Sequence, residues 1–157
     1  MRLIGDGGHA TVVRSVCEAM DAWLSDDFQF IAIGDNRARL ERSLFTDITF
    51  ATLIHPRASI NQPVKIGSGT VIMDGVVIQP GVVIGRHAIL NTGCTVDHHC
   101  VIGDYVHIAP GAHLCGNVHI GEGSLVGVGV GIAPNTVIPP WSLVKAARLD
   151  IVPLSSS

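Results

Sequence analysis

A large aliphatic residue occupies every sixth position of the chain from Ile60 to Val144. The fifteen positions are Ile60, Ile66, Ile72, Ile78, Ile84, Leu90, Val96, Ile102, Ile108, Leu114, Ile120, Val126, Ile132, Ile138 and Val144. A period of six matches neither an amphipathic helix, with a period of about 3.6, nor one strand, with a period of about two. It matches a series of short strands separated by turns, each strand pointing one large side chain inward.

Three such strands close one triangular coil, and the repeat is long enough for about five coils. Each coil bonds its backbone to the coils above and below it, while the inward side chains stack into one core. The composition agrees, because aromatic residues make up only 4% of the chain and the core must use small and β-branched side chains. We therefore predict a mainly β protein, a parallel β-helix over residues 60–144, rather than a β-sandwich with accidental spacing.

The residues before the repeat predict a small α/β lobe. Strands are expected at 2–4, 28–34 and 48–54, and helices from about Ala10 to Trp23 and from an Asp35-Asn36 cap to about Leu44. The predicted domains are a truncated Rossmann-like lobe over residues 1–55, the β-helix over 56–146 and a C-terminal tail over 147–157.

A glycine motif, Gly5-Asp6-Gly7-Gly8-His9, joins the first predicted strand to the first helix. Glycines at such a turn let a ligand approach the backbone, and the helix N-terminus favours a phosphate group. The alternative is a tight turn that only caps the helix.

This motif, with Ile33-Gly34-Asp35-Asn36 and His55-Pro56-Arg57-Ala58 before a hexapeptide repeat, resembles the sialic acid O-acetyltransferase and nucleotide-aminosugar N-acetyltransferase family. The resemblance covers nearly the whole chain. It implies a left-handed β-helix, a homotrimer, acetyl-CoA as co-substrate, and a nucleotide-sugar acceptor held by the first motif. The acceptor-binding residues that it indicates are Gly7, Gly8, His9 and Gly34.

Residues 91–103 match the most distinctive stretch of that family, in which His98 takes the place of the general base. Acyl transfer needs such a base and a donor for the oxyanion. Gly116 follows one coil later, where a glycine leaves room beside the imidazole, and in the family its amide points at the thioester oxygen. His99 replaces an acidic residue that orients the base, and a neutral histidine stabilises an imidazolium less than a carboxylate does. The alternative for His98 is a surface histidine without a catalytic role.

The resemblance also predicts contacts with acetyl-CoA, at His107 near the thioester and at Val128 and Ala146. The glycine-rich segment 127–131 agrees with close approach of a ligand. Corner packing for His107 and ordinary turn chemistry for the glycines are the alternatives. The remaining β-helix histidines are predicted to be structural or interfacial: His113, His119, and His87 stacked over Tyr105 one coil later.

Two segments depart from the family. Only residues 24–27 connect the first helix to the second strand, where relatives have a further strand and an acidic loop that touches the acceptor sugar. The usual Gly-x-Pro-Ala-Lys segment after the last coil is replaced by residues 145–149. The family's acceptor specificity and its contacts with adenine therefore do not transfer directly.

Other classes of function are disfavoured. Gamma-class carbonic anhydrases share the β-helix and bind zinc through histidines about five and about thirty-six residues apart, and no histidine pair here has either spacing, so we predict no metal. A net charge of −3 predicts no binding to nucleic acid, and no apolar run approaches the roughly 20 residues that span a bilayer. Four cysteines without a CxxC pair predict reduced thiols in a cytoplasmic protein.

The sequence thus predicts an acetyl-CoA-dependent acetyltransferase that acts on an amino or hydroxyl group of a sugar, nucleotide-linked in the family. Two alternatives remain open. One is an O-acetyltransferase for a non-sugar or sialic-acid-type alcohol, since the same histidine serves either reaction. The other is a non-catalytic β-helix binding module, which the shortened lobe and altered tail favour.

Overall fold

The computed structural model describes residues 2–20, 28–44 and 49–145. This part contains two helices, α1 (Gly8–Ala19) and α2 (Asn36–Ser43). Its strands are β1 (Arg2–Ile4), β2 (Gln29–Ile31), β3 (Leu53–Ile54), β4 (Ser59–Ile60), β5 (Lys65–Ile66), β6 (Val71–Ile72), β7 (Val77–Ile78), β8 (Val83–Ile84), β9 (Ile89–Leu90), β10 (Thr95–Val96), β11 (Val101–Ile102), β12 (His107–Ile108), β13 (His113–Leu114), β14 (His119–Ile120), β15 (Leu125–Val126), β16 (Gly131–Ile132), β17 (Val137–Ile138) and β18 (Leu143–Val144).

Strands β3 to β18 wind into a parallel β-solenoid of about five turns with three sheets, which confirms the predicted fold class. The lobe sheet contains β3, β6, β9, β12, β15 and β18; the second sheet contains β4, β7, β10, β13 and β16; the third sheet contains β5, β8, β11, β14 and β17. Paired residues are 18 positions apart throughout, as in Thr95 opposite His113 and Val101 opposite His119.

The core is the predicted aliphatic column. From β4 to β18, the second residue of each strand is the aliphatic residue that the six-residue period marks. The middle coils exclude water from it completely, since Ile78, Val96 and Ile108 are each 0% exposed. Their backbone N–H and C=O groups bond to the neighbouring coils, as from Val101 N to Val118 O. A continuous core therefore supports the turns at the corners of the prism.

The lobe is built on β1 and β2, which pair in parallel with α1 as their connection. Helix α1 buries one face through Ala10, Val13, Val16 and Cys17. It ends at Ala19, and the part of the predicted helix near Trp23 falls among residues 21–27, outside the described residues. Helix α2 begins after Asp35, whose carboxylate accepts a hydrogen bond from Ala38 N, as the predicted cap requires.

The predicted third strand differs from expectation, because β3 is part of the solenoid and not of the lobe. Leu53 and Ile54 pair with Val71 and Ile72 in the lobe sheet. Phe50 makes only an isolated parallel bridge to Gln29 of β2. The chain therefore leaves the lobe and enters the first coil within a few residues, so that the lobe is held close to the lobe sheet.

The lobe covers only part of the lobe sheet. Leu53, Val71 and Ile89 point away from the solenoid core but are at most 1% exposed. The same outward column continues through His107 and Leu125, which are half-buried, to Leu143, which is 57% exposed. Coverage of this column by the lobe thus decreases from His107 onward, and Leu143 is its most exposed residue.

Candidate active site

His98 lies in the turn between β10 and β11, where the second and third sheets meet. Gly116 occupies the same corner one coil later, and a Cβ at this glycine would lie 2.6 Å from Nε2 of His98. The imidazole fills the space that any larger side chain would need. This is the stacking that the 18-residue spacing predicts.

The amide of Gly116 is available as a donor. Its carbonyl accepts a hydrogen bond from Asn135 N at 3.1 Å, but its N–H bonds to no acceptor among the described residues. An unpaired backbone N–H beside an imidazole is suited to an oxyanion that forms within reach of the base. The corner therefore brings a proton acceptor and a hydrogen-bond donor together.

His99 contacts the same imidazole. Nδ1 of His98 and Nδ1 of His99 are 3.1 Å apart, so one ring nitrogen donates and the other accepts. His99 has a left-handed backbone with φ 58°, and its ring packs over Gly81 of the preceding coil. Asp97 does not replace the family's acidic residue here, because its Oδ1 accepts a hydrogen bond from the backbone N–H of His98. The ring of His98 is thus oriented by His99.

The glycine motif lines a cavity of about 470 Å³ with Gly7, Gly8, His9 and Gly34 on its walls. Gly5 has a φ of 125°, and a Cβ there would lie 2.7 Å from the carbonyl oxygen of Ala32, so the turn requires glycine. Gly7 caps α1 without a side-chain hydrogen bond. The first N–H groups of α1 therefore remain for an anionic ligand in this cavity.

His107 lies next to that cavity. Its Nε2 is 3.1 Å from the amide nitrogen of Asn91, which donates. Burial lowers its pKa to about 4, with further lowering from Arg39 and His9, while the nearby backbone of Gly34 opposes the shift. The ring is therefore neutral near pH 7.

His9 reaches from the lobe to within 6.2 Å of the His107 ring, measured between centroids. Burial and the charge of Arg39 lower its pKa to about 4. Its Nε2 is buried and has no hydrogen-bond partner among the described residues. His9 thus presents a neutral imidazole at the boundary between the lobe and the solenoid.

Arg39 on α2 is a buried charged residue that the sequence does not reveal. It is 0% exposed, and its guanidinium donates hydrogen bonds to the carbonyls of Ile33 and Gly34 and, across the interface, to those of His87 and Tyr105. Burial lowers its pKa to about 10, so it stays charged at neutral pH. Nothing in its sequence context separates it from Arg37 and Arg42, which are exposed on the same helix.

The predicted site residues form two groups on one chain. His98, His99 and Gly116 lie at the corner between the second and third sheets, whereas the glycine motif, Gly34 and His107 lie at the lobe sheet. Val128 is 62% exposed in the turn after β15, and Ala146 lies outside the described residues. One chain thus does not bring the predicted base to the predicted acceptor cavity.

The other histidines have structural surroundings. His87 stacks over Tyr105 with ring centroids 5.2 Å apart and planes at 5°, which confirms the prediction. Nδ1 of His113 contacts the hydroxyl of Thr95 at 2.9 Å. No group of three or more His, Cys, Asp or Glu side chains within the described ranges is arranged to hold a metal ion. In the same ranges, neither helix is long and apolar enough to cross a membrane.

The chain matches a known family and several solved structures. The family described as bacterial transferase hexapeptide (six repeats) matches residues 63–98 and 99–134. A comparison with curated protein sequences gives no significant match. The acetyltransferase domain of PglB from Neisseria gonorrhoeae FA1090 is 31% identical over 92% of this chain and 87% of that chain, with a TM-score of 0.86. The same domain in complex with acetyl coenzyme A is 31% identical over 96% of this chain and 91% of that chain, with a TM-score of 0.84.

A second relative is PerB from Caulobacter crescentus, solved in complex with CoA and GDP-perosamine. The two proteins are 32% identical, and their alignment covers 92% of this chain and 85% of PerB, with a TM-score of 0.86. WeeI from Acinetobacter baumannii AYE is 21% identical with a TM-score of 0.77 and shares the fold. Identity above 30% over most of both chains, together with the repeat match, shows the family. The chain belongs to the bacterial hexapeptide transferases, as an acetyl-CoA-dependent acetyltransferase of the left-handed β-helix type.

Proposed function

We propose that the enzyme transfers the acetyl group of acetyl-CoA to the amino group of a nucleotide-linked sugar, with His98 as general base. The observation that carries the proposal is the stack of His98 on Gly116, which puts an imidazole beside an unpaired N–H. The relative solved with CoA and GDP-perosamine supports the acceptor class, and the cavity at the start of α1 fits a diphosphate.

The hydrogen bond between the two histidines decides which nitrogen of His98 acts. If Nδ1–H of His98 donates to Nδ1 of His99, then Nε2 of His98 carries the lone pair and His99 holds its own proton on Nε2. Nε2 of His98 is also the nearer of its two ring nitrogens to a Cβ placed at Gly116. With this tautomer, the basic nitrogen of His98 faces the Gly116 amide, whose N–H donates a hydrogen bond to the oxyanion.

The reaction needs no covalent enzyme intermediate. The acceptor nitrogen attacks the thioester carbonyl carbon while Nε2 of His98 takes one proton from that nitrogen. The carbonyl oxygen gains negative charge and accepts a hydrogen bond from Gly116 N–H. Collapse of the tetrahedral intermediate breaks the carbon–sulfur bond, and the proton on His98 passes to the leaving thiolate, which yields CoA and the acetamido sugar.

The active enzyme is proposed to be a homotrimer. The base corner and the acceptor cavity lie on different faces of one solenoid, so a neighbouring copy must supply the other half of the site. Three exposed valines on the third sheet, Val83, Val101 and Val137, give that face an apolar outer surface. A cytoplasmic location, where acetyl-CoA is made, belongs to the same proposal.

The test is thiol release from acetyl-CoA against a panel of nucleotide-linked amino sugars and their hydroxyl counterparts. Replacing His98 by Ala is expected to lower kcat by roughly 10²–10⁴-fold with little change in the KM for acetyl-CoA. Arg42→Ala, exposed in the last turn of α2, is the control and should keep the wild-type rate.

The panel separates the possible outcomes. Faster turnover of a hydroxyl acceptor than of its amino counterpart would replace N-acetylation by O-acetylation. An unchanged kcat in His98→Ala would remove His98 from the mechanism. No turnover of any acceptor by a folded trimer would favour a β-helix that binds ligands without catalysis.

A further inference from the structure

A cavity of about 320 Å³ lies on the outer face of the second sheet, next to the base corner. Its walls span three successive coils, with Val77 on the first, Thr95 and Asp97 on the second, and His113 and Cys115 on the third. Asp97 and Cys115 directly precede His98 and Gly116 in the chain. The cavity therefore begins beside the proposed base and oxyanion donor and extends along the sheet.

Three polar side chains of these walls already hydrogen-bond within the protein. The hydroxyl of Thr95 lies 2.9 Å from Nδ1 of His113, and Oδ1 of Asp97 accepts a hydrogen bond from the backbone N–H of His98. Among the described residues, no lysine or arginine lines the cavity, and the negative charge of Asp97 disfavours a phosphate group there. Val77 and the neighbouring strand residues supply aliphatic surface, so the cavity suits an uncharged, apolar group.

The planar thioester sets the direction of the acyl chain relative to this cavity. When the carbonyl oxygen faces Gly116 N–H and the attacking nitrogen faces Nε2 of His98, the sulfur and the acyl chain lie on opposite sides of the carbonyl group. The sulfur leads through the pantetheine arm to the phosphates of CoA. Because the acidic wall at Asp97 disfavours those phosphates, the sulfur takes the side away from the cavity and the acyl chain takes the side toward it.

The cavity is larger than an acetyl group requires. Its volume falls within the range of small-molecule sites, about 300–1,000 Å³. Val77 lies opposite Thr95, and Thr95 lies opposite His113, so the three coils span about 10 Å at about 4.8 Å per step. The single methyl group of an acetyl fills only the end beside Cys115. A longer chain would reach Val77 and bury its methylene groups against it.

We propose that this space, the acyl cavity, holds the acyl chain of the donor, and that the enzyme also transfers propionyl and butyryl groups from their CoA thioesters. The inference rests on the proposed function in taking His98 as the base. The chemistry is the same for each donor: the acceptor nitrogen bonds to the carbonyl carbon, the carbon–sulfur bond breaks, and the proton held by His98 passes to the CoA thiolate. The added methylene groups leave water for the cavity, which offsets the cost of ordering a longer chain.

Calorimetry tests the proposal without an acceptor. Acetyl-CoA and butyryl-CoA are titrated separately into the full-length protein and its variants, after circular dichroism has verified their fold. The wild type should bind butyryl-CoA at least as tightly as acetyl-CoA. Val77→Phe fills the far end of the acyl cavity and should weaken butyryl-CoA binding about tenfold without changing acetyl-CoA binding, since each excluded methylene group costs about fourfold in affinity. Val77→Leu should show the same selectivity with a smaller effect. Val12→Phe on α1, where the valine is 40% exposed, is the matched control and should bind both donors as the wild type does.

Thiol release with the best acceptor of the panel then measures transfer. The wild-type kcat/KM for butyryl-CoA should be at least about a tenth of that for acetyl-CoA, and Val77→Phe should lower only the butyryl value. A smaller wild-type ratio overturns the proposal. It is also overturned if Val77→Phe weakens both donors equally, which would assign the cavity to pantetheine, or raises only the KM for the acceptor. Selective binding of butyryl-CoA without transfer to any acceptor would instead refute the proposed function and leave the acyl cavity standing.

Discussion

At the scale of single residues, the main departure from the family is His99. A carboxylate beside the base would attract the positive charge that His98 acquires, whereas a neutral imidazole offers only a lone pair. The 3.1 Å contact between the two Nδ1 atoms nevertheless orients the ring of His98. We therefore propose that His99 positions the ring of His98 and influences kcat rather than acceptor affinity.

Substitutions at position 99 test that role. His99→Phe removes the acceptor for Nδ1–H and should lower kcat about 10–100-fold, with KM values changed less than about twofold. His99→Glu restores a carboxylate beside the base and should keep or exceed the wild-type kcat. Steady-state kinetics at several pH values measure both variants. Equal kcat values for His99→Phe and the wild type would show that His98 needs no such partner.

At the scale of elements, the turns between the third sheet and the lobe sheet form a column of stacked residues. Gly69, His87 and Tyr105 follow at successive coils, and His87 packs between the other two. Arg39 of α2 binds the carbonyls of His87 and Tyr105 from the lobe side. This corner column therefore holds α2 against the solenoid.

The column makes stability depend on pH through His87. Burial lowers the pKa of His87 to about 4, with further lowering from Arg39 and Arg86 against a smaller opposing effect of Asp104. The phenol of Tyr105 and the ring of Phe50 are its other neighbours. Since the unfolded state protonates near its ordinary pKa of about 6.5, it binds more protons than the folded state between about pH 6.5 and 4. The free energy of unfolding must therefore fall as pH drops through this window.

His87→Asn removes this titration and keeps a residue that tolerates a left-handed backbone, which His87 has at φ 52°. From pH 7 to pH 5, the wild type should lose roughly 1–2 kcal/mol more of its unfolding free energy than the variant. Urea titrations at the two pH values, followed by circular dichroism, measure the difference. Equal losses in both proteins would mean that folding does not lower the pKa of His87.

At the scale of the whole molecule, the proposed shared site predicts that activity depends on assembly. Val101→Asp places a charge in the middle of the apolar outer face of the third sheet, where the valine is 39% exposed. The variant should elute with the mass of one chain instead of three and lose acetyl transfer while keeping its circular dichroism spectrum. Val12→Asp on α1, where the valine is 40% exposed, is the control and should remain assembled and active. An active, monomeric Val101→Asp protein would contradict the shared site.

The solenoid was predictable because the sequence pattern that specifies it is short and repeats every six residues. Each hexapeptide carries its own inward aliphatic residue and turn, so residues from Ile60 to Val144 locate the strands without knowledge of distant contacts. The stacks of His98 on Gly116 and of His87 on Tyr105 follow from the same period. The buried role of Arg39 and the position of Trp141 beside Arg37 were not predictable. They depend on how the lobe docks on the solenoid, and no period in the sequence encodes that docking.

The 18-residue register also restricts how the length of the chain can vary. Six residues inserted between His98 and Gly116 would preserve the hydrophobic phase and the fold, yet every later position would move to the next corner of the prism. Eighteen inserted residues would return Gly116 to the correct corner but one coil too far away, about 4.8 Å along the axis. Insertions of whole coils elsewhere leave the pair intact. The number of residues between His98 and Gly116 is therefore fixed by geometry, even at positions where an exposed side chain can vary.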